Sequence, residues 1–322
     1  MTQRAFRARP RSRPLLPLLL AVMGAACHTV PVPATGASAP PTPRAQNPSP
    51  MMEQGRRHDR IPPRTPADIA LRIETGLPKP VDLYIPVRSN QPVEERTLLV
   101  HFFGAAYIPL QAAVANGGRY VVAVVNLGAG SSAYERPFAD TATWHTLLRR
   151  VQNETSARTA GRVRINRIIV SAFSAGYGGV RALLRDDQIA ASINGVILLD
   201  GFHTSYVPER TVLAEGGALD TTNLVTFLRY ARRAVAGETR MLITHSEIFP
   251  GTFASTTETT DWLIAELGLA RKPVLEWGPG GMQQISEVRS GGLTILGFAG
   301  NAGPDHIDHL HGLGAFLARM EQ

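Results

Sequence analysis

The sequence predicts an α/β fold: a doubly wound, mostly parallel sheet flanked by helices in a three-layer sandwich. Three observations predict it. Five near-continuous apolar runs, at residues 97–103, 120–127, 165–173, 194–199 and 240–244, have no polar face. Strands apolar on both sides belong in a parallel sheet that helices cover above and below. Helical patterns at residues 142–156, 175–184, 222–236 and 256–267 separate or follow these runs, and strand–helix alternation is the signature of a doubly wound sheet.

Taken in order, the first elements are two short extended segments, 69–74 and 81–86, on either side of Gly76-Leu77-Pro78. They predict an antiparallel hairpin, which makes the sheet mixed. The apolar strands and their helices come next. A last pair of strands, 284–289 and 293–298, flanks Gly291-Gly292, and an amphipathic helix from about residue 306 to 320 closes the chain. No internal repeat is visible. The excursion 201–220 is too short for a large lid domain and long enough for a small lid.

The N-terminal part is a different material. Arg4, Arg7, Arg9, Arg11 and Arg13 precede an apolar run at 15–22, which ends in Gly24-Ala25-Ala26-Cys27. A basic start, a short apolar stretch and small residues are the parts of an export signal. The run is shorter than the about 20 residues a bilayer-spanning helix needs. Cys27, the single cysteine, sits where a bacterial lipoprotein leader is cut and acylated, and the leader resembles a lipobox, with Gly24 where such boxes usually carry leucine. Residues 1–27 are therefore expected to be a signal peptide and Cys27 a lipid anchor, with an ordinary signal peptide as the alternative. Residues 28–66, including VPVPATGASAPPTPRAQNPSP, are too rich in Pro, Ala and Ser to bury a core and read as a disordered tether. The folded domain is expected over 67–322, exported to the cell envelope, or secreted if Cys27 is not acylated.

The formal charge of +7 belongs to those first segments. Ten arginines lie before residue 67 against Glu53 and Asp59, leaving 23 basic and 24 acidic residues in the domain. A nucleic-acid partner, which needs a concentrated cationic surface, loses its support.

The segment richest in chemistry is 165–184. A β-branched strand stops at Phe173, a helical pattern starts at Ala175, and only Ser174 lies between them. So tight a turn wants small residues two before and two after. Ala172 and Gly176 meet that need, and Gly178-Gly179 let the helix approach the sheet. The bland reading is a serine capping a helix. The arrangement resembles the nucleophile elbow of the α/β-hydrolase superfamily, G-x-S-x-G, with alanine for the first glycine. The resemblance implies a serine hydrolase acting on an ester, thioester or amide through an acyl-enzyme on Ser174, without cofactor or metal. An esterase or lipase comes before a peptidase, and a small-molecule or lipid ester is the implied partner.

The resemblance also assigns supporting roles. The strand 97–103 runs into Gly104-Ala105-Ala106, where the family places an oxyanion loop, so the amides of Ala105 and Ala175 are the implied oxyanion donors. The base is expected after the last strand, where a glycine-rich loop leads to His306, with His309 one turn on as the alternate. Asp308 and His311 lie beside them, and metal binding by this cluster is the minor reading. Two acids stand at strand ends: Asp200, followed by Gly201, and Glu247 on the strand more usual for the family. The order Ser174, Asp200, His306 matches the family's, and Asp200 is the choice. His203, His245 and Ser246 lie near the same strand ends, and Phe103, Tyr107, Phe202 and Tyr206 are candidates for an aromatic wall. A rival class is a catalytically inactive hydrolase fold serving as an envelope binding lipoprotein, favoured by the irregular acid position. A nucleotide-binding Rossmann protein is weakest, because no G-x-G-x-x-G follows the first strand.

Overall fold

The computed structural model describes residues 69–86 and 94–321. The leader, Cys27 and the tether lie outside them. Two short strands, β1 (Ile69–Ile73) and β2 (Val81–Ile85), pair antiparallel as the hairpin expected from Gly76, whose φ of +81° suits glycine. Then come β3 (Glu94–Phe102), α1 (Tyr107–Ala115), β4 (Tyr120–Val125), α2 (Ser132–Phe138), α3 (Thr141–Thr159) and β5 (Val163–Phe173). A single 3-10 turn, Ser174–Gly176, leads into α4 (Tyr177–Arg185), α5 (Asp187–Ser192) and β6 (Gly195–Leu199). A small separate hairpin, β7 (Tyr206–Val207) with β8 (Ala218–Leu219), occupies the excursion after β6. The chain goes on through α6 (Val225–Val235), β9 (Arg240–His245), α7 (Thr256–Glu266), β10 (Lys272–Trp277), β11 (Gln283–Ser290) and β12 (Leu293–Phe298). It closes with α8 (Gly303–His311) and α9 (Leu313–Arg319).

Ten strands form one sheet in the order β1-β2-β4-β3-β5-β6-β9-β12-β11-β10. The six from β4 to β12 in that order are parallel to one another, and antiparallel pairs finish both ends. Crossing from β4 back to β3 and on to β5 is the winding reversal that the alternating apolar runs predict. All six residues of β4 and all five of β6 are buried, which only a two-sided covering allows. One helix group, α1 with α9, packs together, and Asn116 Nδ2 at the end of α1 donates to the Gly314 carbonyl at 2.9 Å. In another group α2, α5 and α6 pack on α4. Trp144 of α3 is 1% exposed and meets Phe138 edge to face, joining α3 to the core.

The differences from the expected elements have local causes. Helix α1 contains Pro109 and a run of small residues, and α2 contains Pro137, so neither shows a clear helical stripe. The expected last helix, from about residue 306, starts earlier at Gly303 and divides at Gly312 into α8 and α9. Strand β10 carries Pro273 and leaves Leu275 76% and Trp277 78% exposed, an edge strand without the apolar periodicity of a buried one.

Candidate active site

The C-terminal ends of the parallel strands gather at one edge of the sheet, and the chemistry-bearing residues gather there. Ser174 comes directly after β5, with φ at +46°, and is 5% exposed. That left-handed conformation is costly for a residue with a side chain and persists only where the surroundings enforce it. Glycines enforce it here. A Cβ at Gly176 would stand 2.2 Å from the Phe102 carbonyl oxygen, and one at Gly201 would stand 2.6 Å from the Ser174 carbonyl oxygen. Gly178 and Gly179 are pressed as well, against Ser131 and the Phe102 ring. Five non-glycine residues among those described have positive φ, and three of them, Phe103, Ser174 and Asp200, end β3, β5 and β6 side by side. Backbone strain is thus concentrated at this edge.

Asp200 is fully buried, yet its carboxylate is fully engaged. Its Oδ1 accepts from Ser246 N–H at 3.0 Å and Thr256 Oγ1 at 2.6 Å. Its Oδ2 accepts from Ser246 Oγ at 2.7 Å and His306 Nδ1 at 2.8 Å. Burial acts to raise its pKa, but the imidazoles of His309 and His306 and the hydrogen bonds to the carboxylate outweigh it and hold the group well below the usual range. Because a carboxylate only accepts, His306 carries its proton on Nδ1. Nε2, the ring atom that bears the lone pair in a neutral imidazole, is buried and without a hydrogen-bond partner among the described residues. The His306 ring lies 4.5 Å from the ring of Phe173, the residue before Ser174. Leu310, one turn along α8, touches the position of a Cβ on Gly104.

Strand order 1-2-4-3-5-6 with a left-handed serine at the β5–helix turn, succeeded in sequence by a buried acid and a histidine bonded to each other, decides the architecture. The chain has the α/β-hydrolase fold. No protein-family model and no curated protein sequence matches it. Similar solved structures include a propionate-bound thermophilic esterase from the planctomycete Thermogutta terrifontis, at 16% identity over 79% of this chain and 94% of that chain, with a TM-score of 0.43. The ferric enterobactin esterase of Salmonella typhimurium is 13% identical, with 80% of this chain and 59% of that chain covered and a TM-score of 0.47. An α/β serine hydrolase without lid from Xanthomonas campestris is 13% identical over 80% and 97%, with a TM-score of 0.38.

Within this α/β-hydrolase fold the remaining candidates separate. Glu247 is exposed and its carboxylate receives the Gly300 N–H at 3.3 Å, so it ties two loops together, while His306 Nδ1 bonds Asp200. His309 is buried with Nδ1 against Thr244 Oγ1 at 2.7 Å and edge-on to Phe298. His311 pairs with Asp308 at 3.3 Å, so the histidines of α8 face different partners. Among the described residues no group of three or more His, Cys, Asp or Glu side chains is placed to hold a metal ion. His245 faces Arg271 at 2.7 Å, and burial together with that positive charge pushes its pKa down to about 3. Of the aromatic candidates, Phe103 stacks on Phe173 at 6.0 Å, whereas Phe202 packs on Phe227 in the core and Tyr206 donates to Glu258. Tyr177 and Phe253 instead flank His203 edge to face, at 5.6 and 5.1 Å.

Sequence reasoning does not find Thr256 as a support of the acid. In the sequence Ser246 reads only as a neighbour of the cleft, and Thr256 only as a helix residue. The capping box of Ser255 and Glu258 fixes the first turn of α7 and so sets the Thr256 hydroxyl on Asp200.

Proposed function

We propose that the chain is a serine hydrolase that cleaves a carboxylic ester through an acyl-enzyme on Ser174. The observation that supports it most is a strained elbow serine beside a His306–Asp200 pair, with His306 against Phe173 and its Nε2, unpartnered among the described residues, free to take a proton. In this reading the Ser174 hydroxyl attacks the ester carbonyl while His306 Nε2 takes its proton. Asp200 holds the imidazole in the required tautomer and steadies the imidazolium. The amides of Ala105 and Ala175 receive the oxyanion, each such donor being worth about 3 kcal/mol. His306 returns the proton to the leaving alkoxide, and water repeats the cycle to release the acid. An ester comes before an amide because its alkoxide leaves more readily than an amine. Against a non-catalytic binding protein, the reading that the irregular acid position favours, stands the bond between Asp200 and His306, which is the bond a catalytic acid needs. Export by residues 1–27, anchoring through Cys27 and a 28–66 tether that lets the domain stand off a membrane complete the proposal.

The test is labelling of the full chain by a fluorophosphonate probe and turnover of a short-chain p-nitrophenyl ester, with Ser174→Ala as control. Labelling and turnover lost in the control support the proposal. A folded protein that does neither, equal to its control, overturns it.

A further inference from the structure

An amide that receives an oxyanion must point at it before the substrate arrives, and the path of the chain at Phe103–Ala105 shows what aims it. A trans peptide is planar, so its C=O and N–H point in opposite directions and holding one fixes the other. The Gly104 carbonyl accepts from Asn126 Nδ2 at 2.8 Å, so the Ala105 N–H of the same peptide points away from Asn126. The peptide before it is held at both ends. Gly104 N–H donates to Asn126 Oδ1 at 3.0 Å, and the Phe103 carbonyl accepts from His101 Nε2 at 2.8 Å. Phe103 N–H in turn donates to the Val125 carbonyl at 3.1 Å.

His101 extends the clamp to the nucleophile's strand. A carbonyl only accepts, so His101 carries its proton on Nε2 and its Nδ1 accepts from Ser171 Oγ at 2.7 Å. Ser171 lies on β5, three residues before Ser174. The loop needs such support. Phe103 has φ +68° and Gly104 φ +122°, and a Cβ at 104 would meet Leu310 Cδ2 at 2.7 Å.

We infer that Asn126 is a positioning residue for this reaction: its reciprocal pair with Gly104, backed by the Ser171–His101 link, holds the Ala105 amide aimed at the developing oxyanion. The inference rests on the serine-hydrolase reading. A donor aimed where charge develops acts on the transition state and leaves substrate binding alone, so its loss falls on kcat and not on KM.

The experiment compares full-chain wild type, Asn126→Ala, Asn126→Asp and Ser174→Ala. It measures kcat and KM for a short-chain p-nitrophenyl ester, the Ki of a trifluoromethyl ketone whose hemiketal alkoxide would fill the oxyanion site, and Tm. Asn126→Ala is expected to lose about 10- to 100-fold in kcat with KM within about twofold, and to weaken the ketone in parallel with kcat. Asn126→Asp keeps the shape and the acceptor for Gly104 N–H but sets an anion against the Gly104 carbonyl, so its kcat falls as well while it packs as before. Active wild type with unchanged kcat in both variants overturns the inference alone. So does a loss of kcat that tracks Tm while the ketone binds as before, since that is a merely structural role. Wild type no more active than Ser174→Ala overturns the hydrolase reading and this inference with it.

Discussion

Replacing Asp200 by asparagine changes one atom, and the hydrogen bonds around the carboxylate determine which oxygen becomes the NH2. The carboxylate accepts four bonds, two on each oxygen. An asparagine amide must present its NH2 on one side. On the Oδ1 side it would face Ser246 N–H, a backbone donor that cannot turn round. On the Oδ2 side it would face Ser246 Oγ and His306 Nδ1, and both can change role, the hydroxyl by rotating and the imidazole by moving its proton. The NH2 therefore settles against His306, whose proton moves to Nε2. The lone pair that accepts the Ser174 proton in the proposed mechanism is then gone. Removing a triad acid in this way costs about 10⁴ in kcat, or roughly 5.5 kcal/mol of transition-state stabilisation at about 1.36 kcal/mol per tenfold. Ester turnover by Asp200→Asn, recorded beside its far-UV circular dichroism and beside Glu247→Gln, measures it. Glu247→Gln should stay within about twofold of wild type, because that carboxylate is exposed and bonds the Gly300 N–H and no part of His306. A kcat for Asp200→Asn within about tenfold of wild type, or an equal loss in Glu247→Gln, would refute the argument.

Two further outcomes are expected from packing and charge. Gly176→Ala places a Cβ 2.2 Å from a backbone oxygen that cannot swing aside, so urea unfolding should show a loss of about 3 kcal/mol; an unchanged midpoint contradicts the close approach. Burial pushes His101 down to about 4 and, with the Arg271 charge adding to it, His245 to about 3. Both bind fewer protons folded than unfolded, where histidine titrates near 6.5, so stability holds above about pH 6.5 and is lost as pH falls toward 4. At about 1.4 kcal/mol per unit, His101 alone removes roughly 3 kcal/mol by about pH 4. Urea midpoints at about pH 7.5 and about pH 4.5 check this, and equal midpoints count against it.

Much of this fold could be read because its central strands have no polar face. The runs around Val121, Val170 and Ile197 admit little besides a strand covered on both sides, and Ser174 is conspicuous because strand and helix patterns almost touch there. The opposite holds for β10, whose side chains face solvent, and for α1 and α2, whose prolines and small residues erase the helical period. At the site, strand-end position alone does not tell which of Asp200 and Glu247 bonds His306. That depends on Ser246 and Thr256, 46 and 56 residues further along, converging on one carboxylate. Asn126 left no signal in the sequence either. A polar residue after an apolar strand looks like any strand ending until Gly104 is seen opposite it.

The double grip on Asp200 also bears on how this site can vary. Ser246 and Thr256 bracket residues 247–255, and both hold the same Oδ1 atom, so the two ends of that loop meet at the acid. Lengthening a loop whose ends are already joined costs little, about 0.6 kcal/mol for each doubling. The stretch around Phe249 to Gly251 can therefore be exchanged or extended while His306 keeps its orientation. Were Glu247 the acid, every such change would move the general base of the proposed mechanism. With Asp200 on β6 as the acid of the proposed mechanism, the wall beside His203 and the proton-transfer groups are free to diverge separately, which is the condition for one scaffold to acquire new substrates by loop replacement.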